Sequence, residues 1–80
     1  MQPHLKQAID AALAGHWELA HDLVMDHEDA FSCWIHAVLH KIKGEESNSR
    51  YWYKQTQHDY TDFADPEAEL LAIKQALESV

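Results

Sequence analysis

Apolar residues along this chain recur every three or four positions and never alternate for long, which predicts helices with one buried face and no strands. Pro3 suits a first helical position, where its missing N–H costs nothing, and Leu5, Ile9, Ala12 and Leu13 then make one stripe up to Gly15. A second helix, from about Trp17 to Met25, gathers Leu19, Ala20, Leu23 and Val24 on one side and Glu18, Asp22 and Asp26 on the other. The polar run His27-Glu28-Asp29 precedes a third helix over about residues 30–43, with Glu28 and Asp29 suited to its N-terminus by capping and by the macrodipole. Phe31, Trp34, Ile35, Val38, Leu39 and Ile42 form its apolar face, and Gly44 stops it. Glu45-Glu46-Ser47 reads as a turn with Ser47 as cap, followed by a fourth helix from Asn48 to about Gln57. Residues 58–64 have turn formers and no stripe, so Tyr60 or Phe63 would pin them to the core. Asp65 then caps, and Pro66 opens, a last helix whose stripe is Leu70, Ile73, Leu77 and Val80.

The expected fold is therefore all-α and a single domain over residues 1–80. It has two antiparallel helical hairpins at about 3–26 and 30–57, a linker at 58–65 and a C-terminal helix at about 66–79, about five helices in all. The hairpins echo one another. With Gly15 laid on Gly44, an offset of 29 residues, Ala20 meets Ser49, while Trp17 falls on Glu46. Glycine permits each turn, and the small residue five positions later lets two helices approach closely.

The words Ala14-Gly15-His16-Trp17-Glu18-Leu19-Ala20 resemble the turn of tetratricopeptide and Sel1-like repeats, although 29 residues is shorter than the tetratricopeptide period of about 34. Over about residues 14–55 the chain is similar to a group of small bacterial proteins of unknown function. The likeness is carried by Gly15-His16-Trp17, Ala20-His21, Trp34-Ile35-His36-Ala37-Val38-Leu39-His40, Gly44 and Asn48-Ser49-Arg50-Tyr51-Trp52-Tyr53. Glu45 departs from the aspartate expected there. This resemblance implies a compact helical fold and no particular chemistry.

Eighty residues bury only about 60% of the unfolded chain's surface, so docking onto another copy would help such a domain. Fourteen acidic against six basic residues give a formal charge of −8, which opposes phosphate backbones and anionic membrane surfaces. Nucleic acid and membranes are therefore not expected partners. Cys33 is the single cysteine and allows no internal disulfide. The start lacks a signal peptide's apolar segment, no apolar run is long enough to span a bilayer, and a cytoplasmic location is expected.

Seven histidines are the chemical feature of this composition: His4, His16, His21, His27, His36, His40 and His58. His36 and His40 stand one turn apart, opposite the centre of the third helix's apolar face, close enough to share zinc or another divalent transition metal. Such a pair needs a third ligand, for which Cys33, Asp22 or Asp26 are candidates, whereas His21 and His16 read as packing residues. Without a metal, His36 and His40 would be hydrogen-bonded polar residues that face solvent or sit in a groove in contact with Tyr or Asp. No His-Glu-x-x-His word supports a metalloprotease, and Cys33 with His36 lacks an orienting partner for thiolate catalysis. No catalytic residue is assigned.

Tyr51, Trp52 and Tyr53 sweep about 200° of a helix, so two rings can pack inside while a third meets another element or a partner. Arg50 would pair with Glu46. The leading expectation is a non-enzymatic protein-interaction module that self-associates, as a homodimer for example, through His36, His40, Arg50 and some of Tyr51, Trp52 and Tyr53. Metal binding at His36 and His40 is the alternative, and a small-molecule pocket lined by Trp17, Trp34 and Trp52 is a third reading.

Overall fold

Five helices carry the described residues: α1 (Pro3–Leu13), α2 (Trp17–Val24), α3 (Ala30–Ile42), α4 (Glu46–Tyr53) and α5 (Pro66–Glu78). The computed structural model describes residues 3–79, and no strand occurs among them, so the protein is all-α. The expected contribution of Val80 to the last stripe lies outside the described residues. Among the described residues no helix is long and apolar enough to cross a membrane.

The two glycines build two copies of one turn. Gly15 and Gly44 take φ of 86° and 74°, values that burden any residue with a Cβ. In the first copy the Gly15 N–H donates to Ala12 O and the His16 N–H to Ala11 O; in the second the Gly44 N–H donates to Lys41 O and the Glu45 N–H to His40 O. This is the Schellman arrangement, which satisfies the orphan carbonyls of a helix end. The next helix begins at once, so α4 starts at Glu46, without a side-chain cap from Glu45 and earlier than the expected start at Asn48. It also ends earlier, at Tyr53, because the Thr56 hydroxyl accepts the His58 N–H and donates to Tyr53 O, folding the chain into a turn. Asp29 and Asp65 cap α3 and α5, accepting from the Ser32 and Glu67 N–H groups.

α1 packs chiefly on α2 and α3 chiefly on α4, and the equivalent small residues Ala20 and Ser49 are both fully buried. α3 touches every other helix, and all residues from Ser32 to Leu39 are buried. Over this enclosed stretch the helix has no solvent face, which overturns the expectation that His36 is exposed; it retains only 4% of its accessible surface. Two apolar assignments also change: Leu19 is 54% exposed, at the rim of its stripe, and Ile42 44%, as the last residue of α3.

A carboxylate lies inside the core: Glu69, from α5, at 0% exposure. Its Oε2 accepts from Trp34 Nε1 at 2.8 Å and from the Tyr53 hydroxyl at 2.6 Å, while its Oε1 accepts from Lys41 Nζ at 2.8 Å. Lys41 also donates to Phe63 O. Burial and the neighbouring carboxylate raise the Tyr53 hydroxyl well above the ordinary tyrosine range, keeping it protonated as the donor. Phe63 and Tyr60 pack on the core, pinning the linker as expected.

Candidate functional site: a histidine cluster at the seam of the helix pairs

α2 and α3 meet where α2 presents Trp17 and His21, and α3 presents His36 and His40, each pair four residues apart and so on one helical face. The side chains interleave. The His21 ring centroid lies 4.6 Å from that of His36 and 5.4 Å from that of His40, with His36 and His40 4.9 Å apart. One nitrogen from each of the three rings lies within 4.8 Å of the other two.

Aromatic walls hold this cluster. Trp17 stacks on His21 at 4.8 Å and is anchored by its indole N–H, which donates to Leu39 O at 2.7 Å. Trp52, from α4, stacks on His36 at 4.0 Å. His40 Nδ1 lies 2.7 Å from Glu45 Oε1, which leaves Nε2 as its other potential donor atom. That contact follows from the turn: Glu45 and His40 are the two residues that the Schellman arrangement closes onto one another. Lys43 places its ammonium 4.6 Å from the Trp17 ring centroid.

Electrostatics keep the buried ring neutral. Burial, then the neighbouring His21 and His40, lower the His36 pKa to about 4. Burial and His40 also lower that of His21, against a weaker opposing pull from Asp22 and Glu45. His36 Nδ1 is buried with no hydrogen-bond partner, an unmet polar atom beside two further imidazoles.

The expected site residues thus fall into two groups. His36 and His40 come together as foreseen, but their third companion is His21 rather than Cys33, Asp22 or Asp26. Cys33 is buried, and burial, Asp29 and Glu28 push its thiol up, away from thiolate chemistry. Of the aromatic triplet, Tyr53 is 3% exposed and bound to Glu69, so it makes no outward contact; Trp52 is partly buried on His36, and Tyr51 is 55% exposed. Arg50 pairs with Glu46 at 2.7 Å and lies over Tyr60. Trp34 points to Glu69 and stacks on His58 at 3.6 Å, so the three tryptophans do not line one cavity. A groove of about 570 Å³ beside it is lined by Phe31, Trp34, Gln57 and His58.

From the sequence His21 reads as a packing residue and Glu45 only as a departure from an expected aspartate, so neither reads as part of a site. The available signals were the Trp17–His21 spacing, which repeats that of His36 and His40, and Gly44, whose turn brings Glu45 onto His40.

A second group, His4, His27 and Asp29, sits at the start of α3. Its members already have work there: Ser32 donates through its N–H and hydroxyl to Asp29, and His4 Nε2 lies 3.0 Å from the same hydroxyl. Burial alone would raise Asp29, but these hydrogen bonds outweigh it and hold the carboxyl below its usual range.

Compared with known protein families, curated proteins and solved structures, the chain has no match. The likeness to tetratricopeptide and Sel1-like hairpins therefore carries no part of the functional argument.

Proposed function

We propose that this protein binds one divalent transition-metal ion, zinc or another late first-row metal, through His21, His36 and His40. The observation that carries the reading is the convergence of three imidazole nitrogens from two helices, with the buried His36 Nδ1 lacking any other partner. Imidazole is a ligand only when neutral, and burial keeps His36 neutral at physiological pH. Around a tetrahedral ion with bonds of 2.0–2.1 Å, ligand nitrogens stand about 3.4 Å apart, so the present spacing, within 4.8 Å, needs to close by at most about 1.4 Å. Glu45 on His40 supplies the carboxylate that orients a ligand histidine and raises its basicity.

Metal analysis of protein purified without a histidine tag tests this, together with melting in added zinc or nickel. At ligand excess of about 100 times Kd, binding adds about 2.7 kcal/mol. The expected result is about one ion per chain and a raised melting temperature, both lost in His36→Ala. No bound metal and no melting shift with either ion would remove the reading.

Self-association is a second reading, carried by Tyr51, which holds a large amphipathic ring 55% exposed at the edge of Trp52. A homodimer formed there loses mass towards the monomer in Tyr51→Ala by sedimentation, whereas a concentration-independent monomer in the wild type excludes it.

A further inference from the structure

The cluster offers three nitrogens, and the carboxylate in contact with it is engaged: Glu45 is held on His40 Nδ1 at 2.7 Å. Cys33 belongs to the same helix but pairs with none of the three as a ligand group. A tetrahedral ion on three protein ligands retains a fourth position, the arrangement of sites that exchange water and substrate rather than of closed structural sites. Three neutral imidazoles also leave the ion's double positive charge uncompensated, which favours an anion in that position.

The surroundings point the same way. His21 and His40 are only partly buried, so the cluster reaches the surface between α2 and the α3–α4 turn. Lys43 stands there with its ammonium 4.6 Å from Trp17, the ring that itself contacts His21 and His40. The protein as a whole carries a formal charge of −8, and Lys43 places one positive charge at this rim.

Resting on the metal reading above, we infer that the bound ion keeps an exchangeable water and that small monovalent anions replace it, drawn to the rim by Lys43. The exchange is a simple substitution: water leaves with its electron pair, the anion donates its own pair to the metal, and no proton or electron changes hands.

Cobalt(II) loading of the full chain separates the two claims, because four-coordinate cobalt reports its ligands through visible d–d bands. Azide titration of the cobalt protein is expected to change those bands saturably, and acetate to compete for the same change. In Lys43→Gln the half-saturating azide concentration is expected to rise about threefold, the effect of one exposed charge. Cobalt bands that azide leaves untouched overturn the open position, and azide sensitivity gained only in Glu45→Gln identifies Glu45 as the fourth ligand and overturns it too. An unchanged half-saturation in Lys43→Gln overturns the role of Lys43. Absence of cobalt bands altogether defeats the metal reading itself.

Discussion

The α1–α2 pair and the α3–α4 pair share a turn, hydrogen bond for hydrogen bond, yet only the second reaches α5 through a network of buried polar side chains. Residue by residue at the 29-position offset, Ala11 becomes His40, Gln7 becomes His36, His16 becomes Glu45 and Val24 becomes Tyr53. The backbone solution is general, set by glycine at φ near +80° and a small residue at the helix crossing. The chemistry is local, carried by side chains facing the seam where α2 lies on α3. The first pair meets α5 through apolar packing and a rim contact, Lys74 to Asp10 at 3.2 Å, whereas the second meets it through the buried Glu69 network.

Removing Glu69 is the harshest way to break that asymmetry. Glu69→Ala strands Lys41 inside the protein, and loss of one partner from a buried pair costs about 3–5 kcal/mol. Asp10→Ala, at the exposed counterpart in the first pair, costs well under about 1 kcal/mol. Urea midpoints of the two variants should differ accordingly, and equal midpoints would erase the distinction between buried and surface wiring.

Acid acts next, and most strongly on the seam. His36 has its folded-state pKa lowered to about 4 against about 6.5 unfolded. Between those values the unfolded chain binds more protons than the folded one, so stability present above pH 6.5 is lost as pH falls, levelling off below about pH 4. His21 is lowered too and acts in the same direction. Metal-free protein should lose roughly 3 kcal/mol from His36 across this window, and His36→Gln should flatten the profile of unfolding free energy against pH.

The shared turn predicts equality. A Cβ at Gly15 or Gly44 meets no atom within 4 Å, so alanine there is penalised by its dihedral angle alone. Gly15→Ala and Gly44→Ala should each cost about 1–2 kcal/mol, within a few tenths of one another. A large difference in thermal unfolding would show that the turns are alike in shape and not in energy.

Ser49→Ala makes the second crossing copy the first, where Ala20 stands. It removes the hydroxyl bond to Ala37 O at 2.6 Å without opening much space, at an expected cost of about 1 kcal/mol. A neutral effect in chemical denaturation would mean that hydrogen bond adds nothing beyond the small side chain.

Helix order, the caps at Asp29 and Asp65, the pinning by Tyr60 and Phe63 and the Arg50–Glu46 pair were legible because each depends on residues close in sequence or on the helical period. The triplet Tyr51-Trp52-Tyr53 likewise divided as its 100° steps require, one ring in, one at the boundary and one out. What failed was the inference from a helix's own stripe to its exposure. Phasing puts His36 opposite the apolar face of α3, but phasing knows nothing of how many neighbours a helix has.

By itself the sequence determined an all-α chain, its turns and the one-turn spacing of His36 and His40. These follow from glycine's access to positive φ, from capping geometry and from 3.6 residues per turn, all properties of short segments. Only the tertiary structure decided that α3 is enclosed, that His21 arrives from 15 residues before His36 to complete the cluster, and that Glu69 arrives from another helix to receive Trp34, Tyr53 and Lys41. Burial and long-range proximity come from how helices stack on one another, and no local pattern of residues specifies that.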